Sequence, residues 1–313
     1  VTIPVLINTR SGGFEGRKLL HAVSAIYSET KQTHLVYDLM TVSEETLHDL
    51  CCNASGLIIG GGDGTIHTLL PQLIATNIAI GIIPLGTGND LAREFSQLKR
   101  YRTNGLRALL AHYASTAQCE DAHRSLTVWK ARTAHDVILC HFCNYVSFGF
   151  DAAVVNRFAQ ERNLPSLLGN RWRRIQNRIH YSYAGMRELF WRFQNEPKLT
   201  HTDGQVIAIE PKACSIFFPN IRSIMGLGRS NSVSDPSDTL LECVVPVTLR
   251  DYLGMLPFFT SIARPKEVLK GSAPAWQITF GKGLVPLQAD GEGLGAIESV
   301  EVIIEPAGKL KLL

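Results

Sequence analysis

The chain has 313 residues, of which 45% are apolar and 19% charged, with 14 prolines and a net charge of +3. That length exceeds what one hydrophobic core usually serves and predicts two domains, while the composition excludes a disordered or collagen-like chain. The weak positive balance suits an acidic substrate or an anionic membrane surface but offers no dense basic stripe, so no nucleic-acid partner is expected.

From Ile3 to about Asp121 short β-branched runs alternate with amphipathic stretches. "IPVLIN" (3–8), "HLVYDL" (34–39), "GLIIGGG" (56–62) and "IAIGIIPLGTG" (78–88) read as strands, and 16–28, 43–51, 65–75 and 89–96 as helices. Such alternation predicts parallel strands joined by helical crossovers, with helices on both faces of the sheet. The loops at the carboxyl ends of those strands then gather on one edge, where ligands bind. "NTRSGG" (8–13), "GGGDGT" (60–65) and "PLGTGND" (84–90) all fall at such ends.

From about residue 122 the pattern changes to short alternating runs with few helices between them, which predicts a mainly antiparallel β-sandwich over 122–305. Residues 306–313 are read as a tail, one that returns to the first domain (1–121). A long helical pattern interrupts the strands from about Asn170 to Gln194: Trp172, Ile175, Ile179, Tyr183, Met186, Phe190 and Phe193 recur at helical spacing, with five arginines on the other face. That helix reads either as a solvated basic face over a core or as a surface for an anionic bilayer. The run 248–265 is a second membrane-contact candidate, with a buried helix as its alternative.

The seven cysteines are odd in number, scattered and mostly set in apolar runs, which predicts free thiols in a cytoplasmic protein; "CHFC" (140–143) has no second pair at zinc spacing and reads as buried strand. No run approaches the roughly 18 apolar residues that a spanning helix needs, and no secretory signal pattern is visible in the opening residues. No G-x-S-x-G occurs, so hydrolase triads are unsupported.

A glycine-rich turn between strand and helix lets backbone N–H groups approach phosphate oxygens, and the helix N-terminus adds partial positive charge. One such loop reads equally as a tight turn; a second with the same logic favours phosphate. Asp63 and Asp90 then bring carboxylates beside it, although Asp90 also reads as a first-turn acid of the following helix. Phosphoryl transfer asks for donors that cradle phosphate, for a cation binder and for a carboxylate that takes a proton. Neither loop is a Walker A sequence or a G-x-G-x-x-G at the first strand.

"GGDGT" together with "PLGTGNDLAR" resembles the diacylglycerol kinase catalytic family, which includes sphingosine and ceramide kinases and bacterial lipid kinases. "NTRSGG" resembles that family's Asn-Pro-x-Ser-Gly loop with Thr9 in place of proline, "NYVSFGFDAAVVNRFAQERN" (144–163) is similar to the segment of eukaryotic diacylglycerol kinases, and "FPNIRSIMGLG", "DTLLECVV" and "PLQADGE" (286–292) resemble later elements. The resemblance implies a lipid kinase of an α/β and a β-sandwich domain, using ATP and Mg²⁺, with ATP in the cleft and a membrane lipid as acceptor. It implies peripheral contact with the membrane, diacylglycerol being the favoured acceptor and a sphingoid base, ceramide or other glycerolipid the alternatives. Carried onto this chain, Gly61, Gly62, Gly64 and Thr65 meet nucleotide phosphates, and Asn8, Ser11, Gly86, Thr87, Gly88 and Asn89 complete the pocket. Asp63 is the acid at the catalytic centre, Asp290 and Glu292 hold Mg²⁺ or orient phosphates, and Asp90, Arg93 and Asp151 meet the acceptor. Thr68 and Pro71 replace the family's Glu and Asn in the helix after "GGDGT", which leaves open an impaired lipid- or nucleotide-binding module, and Pro71 is expected to kink that helix unless it sits near an end.

Overall fold

The computed structural model describes residues 3–13, 15–86, 88–161, 183–202, 204–210, 212–223, 234–254, 269–298 and 301–313. Two compact units make up the chain: Val1–Val128 with Gly308–Leu313, and Trp129–Ala307.

In the first unit, β1 (Val5–Ile7), β2 (Val36–Asp38), β3 (Leu57–Gly61) and β4 (Ala79–Pro84) form a sheet in the order β2-β1-β3-β4, every pair parallel. Val5, Leu6, Ile7, Leu57, Ile58 and Ile80 are fully buried, as expected of a parallel sheet covered by helices. The helices are α1 (Glu15–Ser28), α2 (Glu44–Asn53), α3 (Asp63–Thr76), α4 (Asp90–Glu94) and α5 (Gln97–Thr116). Ser43 starts α2 by accepting a bond from the Thr46 N–H at 3.1 Å, and Asn77 ends α3 in the left-handed region at φ 53°. Gly105, at φ 77°, divides α5 in two.

The chain runs from β1 to β2 on one side and then returns past β1 to β3. The order therefore reverses between β1 and β3, and this is the switch point at whose carboxyl edge open α/β sheets bind ligands. All three glycine-rich loops leave the sheet on that edge, two of them straight from β1 and β3.

The second unit is two antiparallel sheets. One joins β5 (Arg124–Thr133), β6 (Ile138–Phe142), β8 (Lys198–His201), β9 (Val206–Ala208), β13 (Trp276–Thr279) and β16 (Glu301–Leu312) in the order β6-β5-β16-β13-β8-β9. The other contains β7 (Tyr145–Gly149), β10 (Ser215–Pro219), β11 (Leu241–Val244), β12 (Leu269–Ala273), β14 (Val285–Ala289) and β15 (Glu292–Ile297), ordered β12-β11-β10-β7-β14-β15. Their facing side chains share one core: Trp129, Phe142, Trp276 and Ile304 from the first sheet meet Phe148, Phe218 and Leu287 from the second. Phe148 stands edge-on to Phe218 with centroids 6.4 Å apart.

Helix α6 (Phe150–Glu161) covers β14 and β15, and Asn156 fastens it there. Its Nδ2 donates to the Gly295 carbonyl at 2.6 Å and its Oδ1 accepts from the Gly295 N–H at 2.9 Å. A Cβ on Gly293 would lie 2.5 Å from that same oxygen, so the helix comes this close only over glycine. The unit boundaries fall inside β5 and β16. At its far end β16 leaves the second unit, and Lys311 and Leu312 pair in parallel with Ala79 and Ile80 of β4. The helical reading of 170–194 is met in part: α7 covers 183–188, the residues after 190 are not helical, and 170–182 lie outside the described residues, as do 255–265 of the second membrane-contact candidate. Among the described residues no helix is long and apolar enough to cross a membrane.

Tyr113 of α5 is fully buried against β4, its hydroxyl donating to the Ile82 carbonyl at 2.7 Å and accepting from the Ile82 N–H at 3.1 Å. Gly81 makes room for the ring, since a Cβ there would lie 2.6 Å from it. Tyr113→Phe leaves both Ile82 groups without this partner, and unfolding of the first unit should be easier by about 1–3 kcal/mol. A urea titration of the variant beside the parent measures it; an unchanged midpoint would refute the role.

Candidate active site

The first loop is tied to the second through one threonine. Asn8 follows β1, its N–H donating to the Gly60 carbonyl at 2.8 Å, and its side-chain Nδ2 donates to Thr65 Oγ1 at 3.0 Å. Ser11 Oγ lies 3.2 Å from the same hydroxyl. Gly12 turns the chain at φ 62°, where a Cβ would stand 2.6 Å from the Leu85 carbonyl oxygen. Arg10 is exposed on this loop, its backbone N–H held by Asn8 Oδ1 at 3.0 Å. Thr9, where the family has proline, is buried and donates to both carboxylate oxygens of Asp38 at 3.0 Å, joining the loop to the end of β2.

The second and third loops touch at their glycines. A Cβ on Gly62 would sit 2.8 Å from the Gly86 Cα, and one on Gly86 equally close to the Gly62 Cα. Helix α3 opens immediately after Gly62, which places its positive end on the sheet's carboxyl edge. Asp63 is the first residue of that helix, yet its carboxylate reaches across to α4. Oδ2 accepts from the Asp90 N–H at 3.0 Å and Oδ1 from the Leu91 N–H at 3.2 Å. The local residue cannot do this job: Asn89 is left-handed at φ 52° and its Oδ1 accepts from the Gly86 N–H at 2.8 Å.

Asp90 and Arg93, expected to meet the acceptor, meet each other. Arg93 Nη1 donates to Asp90 Oδ1 at 2.7 Å and Nη2 to the Gly88 carbonyl at 3.0 Å. Asp90 is buried, which fits its alternative reading as a first-turn acid. Gly61 and Gly64 flank the turn as expected, and Thr87 lies outside the described residues.

In the second unit two expected site acids turn inward. Asp290 (φ 53°) and Gly291 (φ 84°) are the two loop residues of the β14–β15 hairpin, in whose register Ala289 faces Glu292. Two successive positive φ angles make this a type I′ turn, the tight hairpin connection that favours Asp-Gly. The Asp290 carboxylate accepts from the N–H groups of Cys143, Asn144 and Tyr145, at 3.1, 2.7 and 3.1 Å. Asn220 braces that turn, donating to the Cys143 carbonyl and accepting from Trp129 Nε1. A metal at Asp290 would have to displace these donors. The Asp290–Glu292 pair does not fit a Mg²⁺ site, and no cluster of three potential ligands occurs among the described residues. Glu292 is half-buried.

Asp151, expected at the acceptor's head, is 0% exposed. Ser147 Oγ donates to its Oδ2 at 2.7 Å, Tyr252 OH to its Oδ1 at 2.7 Å, and Gln288 Nε2 to Oδ2 at 3.3 Å. Burial raises its pKa above the usual carboxylate range, and the three donors oppose that rise. Nothing in one-dimensional spacing connects Ser147, Tyr252 and Gln288. The hairpin role of Asp290 did have a signal, an Asp-Gly pair between two strand-like runs.

Thr68 and Pro71 lie on the exposed side of α3. Thr68 Oγ1 donates to the Gly64 carbonyl at 2.9 Å, and the helix continues past Pro71 to Thr76. Proline has no N–H to give the His67 carbonyl, a loss that water can make good on a solvent-facing side.

A parallel sheet with three glycine-bearing loops at its carboxyl edge, linked to an antiparallel sandwich, defines an α/β protein of two units. Family models for the diacylglycerol kinase catalytic domain and the diacylglycerol kinase accessory domain match residues 2–120 and 141–293. The chain belongs to the diacylglycerol kinase catalytic family. It is 28% identical to the eye-specific diacylglycerol kinase of Drosophila melanogaster over 100% of this chain and 22% of that one. Human diacylglycerol kinase iota is 29% identical over 60% of this chain and 19% of its own, and diacylglycerol kinase 1 of Oryza sativa subsp. japonica 23% over 84% and 59%. The chain thus spans about a fifth of the length of these animal relatives. A crystal structure of a diacylglycerol kinase from Bacillus anthracis str. Sterne superposes with a TM-score of 0.58 over 99% of this chain and 96% of that one at 17% identity, showing the same fold.

Because the buried Asp151 titrates above its ordinary range, its contribution to stability is full below that range and is lost as pH rises through the raised value. The stability of the parent relative to Asp151→Asn should therefore fall with increasing pH, as read from paired urea titrations; a difference that grows with pH would reverse the assignment. Asp290→Asn should lower the unfolding free energy of the second unit by about 1–3 kcal/mol, read from the same titrations, by leaving backbone donors of residues 143–145 unmatched.

Proposed function

We propose that the protein is an ATP-dependent lipid kinase that transfers the γ-phosphoryl group to the hydroxyl of diacylglycerol, yielding phosphatidic acid. The observation that carries this reading is the knot of three loops at the switch point, closed by Asp63 on the amides of Asp90 and Leu91 and by Asn8 and Ser11 on Thr65. Diacylglycerol is favoured as acceptor because the relatives above are named for it.

ATP supplies the phosphoryl group when bound. The backbone of Gly62, Gly64, Gly86 and Gly88 and the start of α3 would receive its phosphates, with Asn8, Ser11 and Thr65 fixing the spacing of the loops. Asp63 acts here as a positioning residue: its oxygens set α4 and the third loop against the second. Arg93 holds Gly88 and Asp90 in the same arrangement. Thr68 and Pro71 both lie on the exposed side of α3, which supports reading the chain as a competent enzyme rather than an impaired module.

Detergent–lipid mixed micelles carrying diacylglycerol, ceramide, a sphingoid base or monoacylglycerol, supplied with labelled ATP, provide the test. Label should enter phosphatidic acid; label confined to another lipid would replace the acceptor, and label in none would overturn the kinase reading. Asp63→Asn, which keeps one acceptor and turns an N–H toward another, should cut turnover about 100-fold or more with the pH profile of the residual activity unshifted.

A further inference from the structure

The described end of the arginine-rich segment leaves an apolar face uncovered. Tyr183, Met186 and Phe190 recur at intervals of three and four residues through α7 and the turn after it, which puts them on one side. They are 49%, 72% and 87% exposed, while Ala184 between them is fully buried. The element thus rests on the second unit through its small residue and turns its bulky residues outward, the reverse of an ordinary surface helix.

The chain beyond changes direction inward. Trp191 meets Phe193 edge-on at 4.9 Å, and Phe193 stacks on Phe280 at 6.1 Å. The 281–284 loop is pinned beside this segment: Asn195 Nδ2 donates to the Lys282 carbonyl at 2.8 Å, and a Cβ on Gly283 would lie 2.6 Å from the Gln194 side chain. Leu284, 58% exposed, stands beside a shallow depression that Trp191 and Phe193 also line.

The charges around this face are mostly basic. Arg187 lies over the Tyr183 ring at 5.7 Å, and Arg192 donates to the Leu189 and Trp191 carbonyls. Lys282 is exposed on the adjoining loop. Among the described acids of the 183–196 segment, Glu188 is paired with Arg157 and Glu196 is exposed.

We propose that this face docks the protein on an anionic lipid bilayer, with Met186, Phe190 and Leu284 entering the boundary between headgroups and acyl chains and Arg187, Arg192 and Lys282 meeting lipid phosphates. Projecting apolar tips within a basic rim complement the two layers of such a surface. The inference rests on exposure and charge alone and stands apart from the kinase reading.

Co-sedimentation of the 313-residue chain with vesicles, without nucleotide, tests it. Binding to phosphatidylcholine vesicles containing phosphatidylserine should be about tenfold tighter than to phosphatidylcholine alone and should weaken with salt. The double variant Met186→Asp/Phe190→Asp should lose about tenfold or more of that binding with an unchanged thermal melt, both parent side chains being solvent-facing. Mixed-micelle turnover should persist in the variant, so a failed kinase assay and a failed docking assay are told apart. Equal vesicle binding by variant and parent, no binding by the parent, or a parent dimer in sedimentation velocity that the substitutions dissolve would each overturn the proposal, the last by making a second copy the occupant.

Discussion

The grip of one carboxylate on two foreign amides sets the geometry of the first unit's functional edge. Helix α4 is only five residues long, and the residue before it is committed to its own loop, so its first amides need an acceptor from elsewhere. Asp63 provides one from the first turn of α3. Once that bond is made the loops after β3 and β4 are forced together, which is why Gly62 and Gly86 lack side chains at their closest approach. The loop after β1 then follows through Asn8, Ser11 and the hydroxyl of Thr65, and through Thr9 it is joined to the end of β2. Four strand ends are held in register by side chains whose energies are individually small.

The second unit applies the same device. Asp290 gathers the amides of residues 143–145 much as Asp63 gathers those of α4, and Asp151 collects three side-chain donors in the interior. Asp63 and Asp290 thus organise backbone amides, and Asp151 organises side chains. A buried acceptor facing several donors is costly to remove, and that cost accounts for the presence of these acids as fully as chemistry would.

Much of the first unit is legible in the sequence. Alternating β-branched and amphipathic runs have one economical parallel solution, and the positions of the glycine-rich loops at strand ends followed from it. The partners of the acids were not legible, because hydrogen bonds such as Asp63 to Leu91 or Tyr252 to Asp151 join residues that spacing does not relate. Asp290 is instructive in another way: its Asp-Gly pair carried an ordinary hairpin signal that a reading for metal ligands passed over. Thr9 shows a departure from family pattern explained by a local partner, Asp38. In α7 the periodicity marked Tyr183, Met186 and Phe190 as one side, but periodicity says nothing of what covers a side, and here they face solvent.

The last strand of the chain has a consequence for how the molecule is made. Lys311 and Leu312 close the sheet of the first unit beside β4, yet they follow the whole of the second unit in sequence. During synthesis β4 therefore waits with an unpaired edge while the sandwich is being produced, and contacts this distant in sequence form slowly. An excised fragment ending at residue 128 would keep that edge permanently open, an invitation to pair with neighbouring copies. Expressing the glycine-loop unit by itself thus calls for a circular permutation that carries residues 308–313 to its front, rather than a simple truncation.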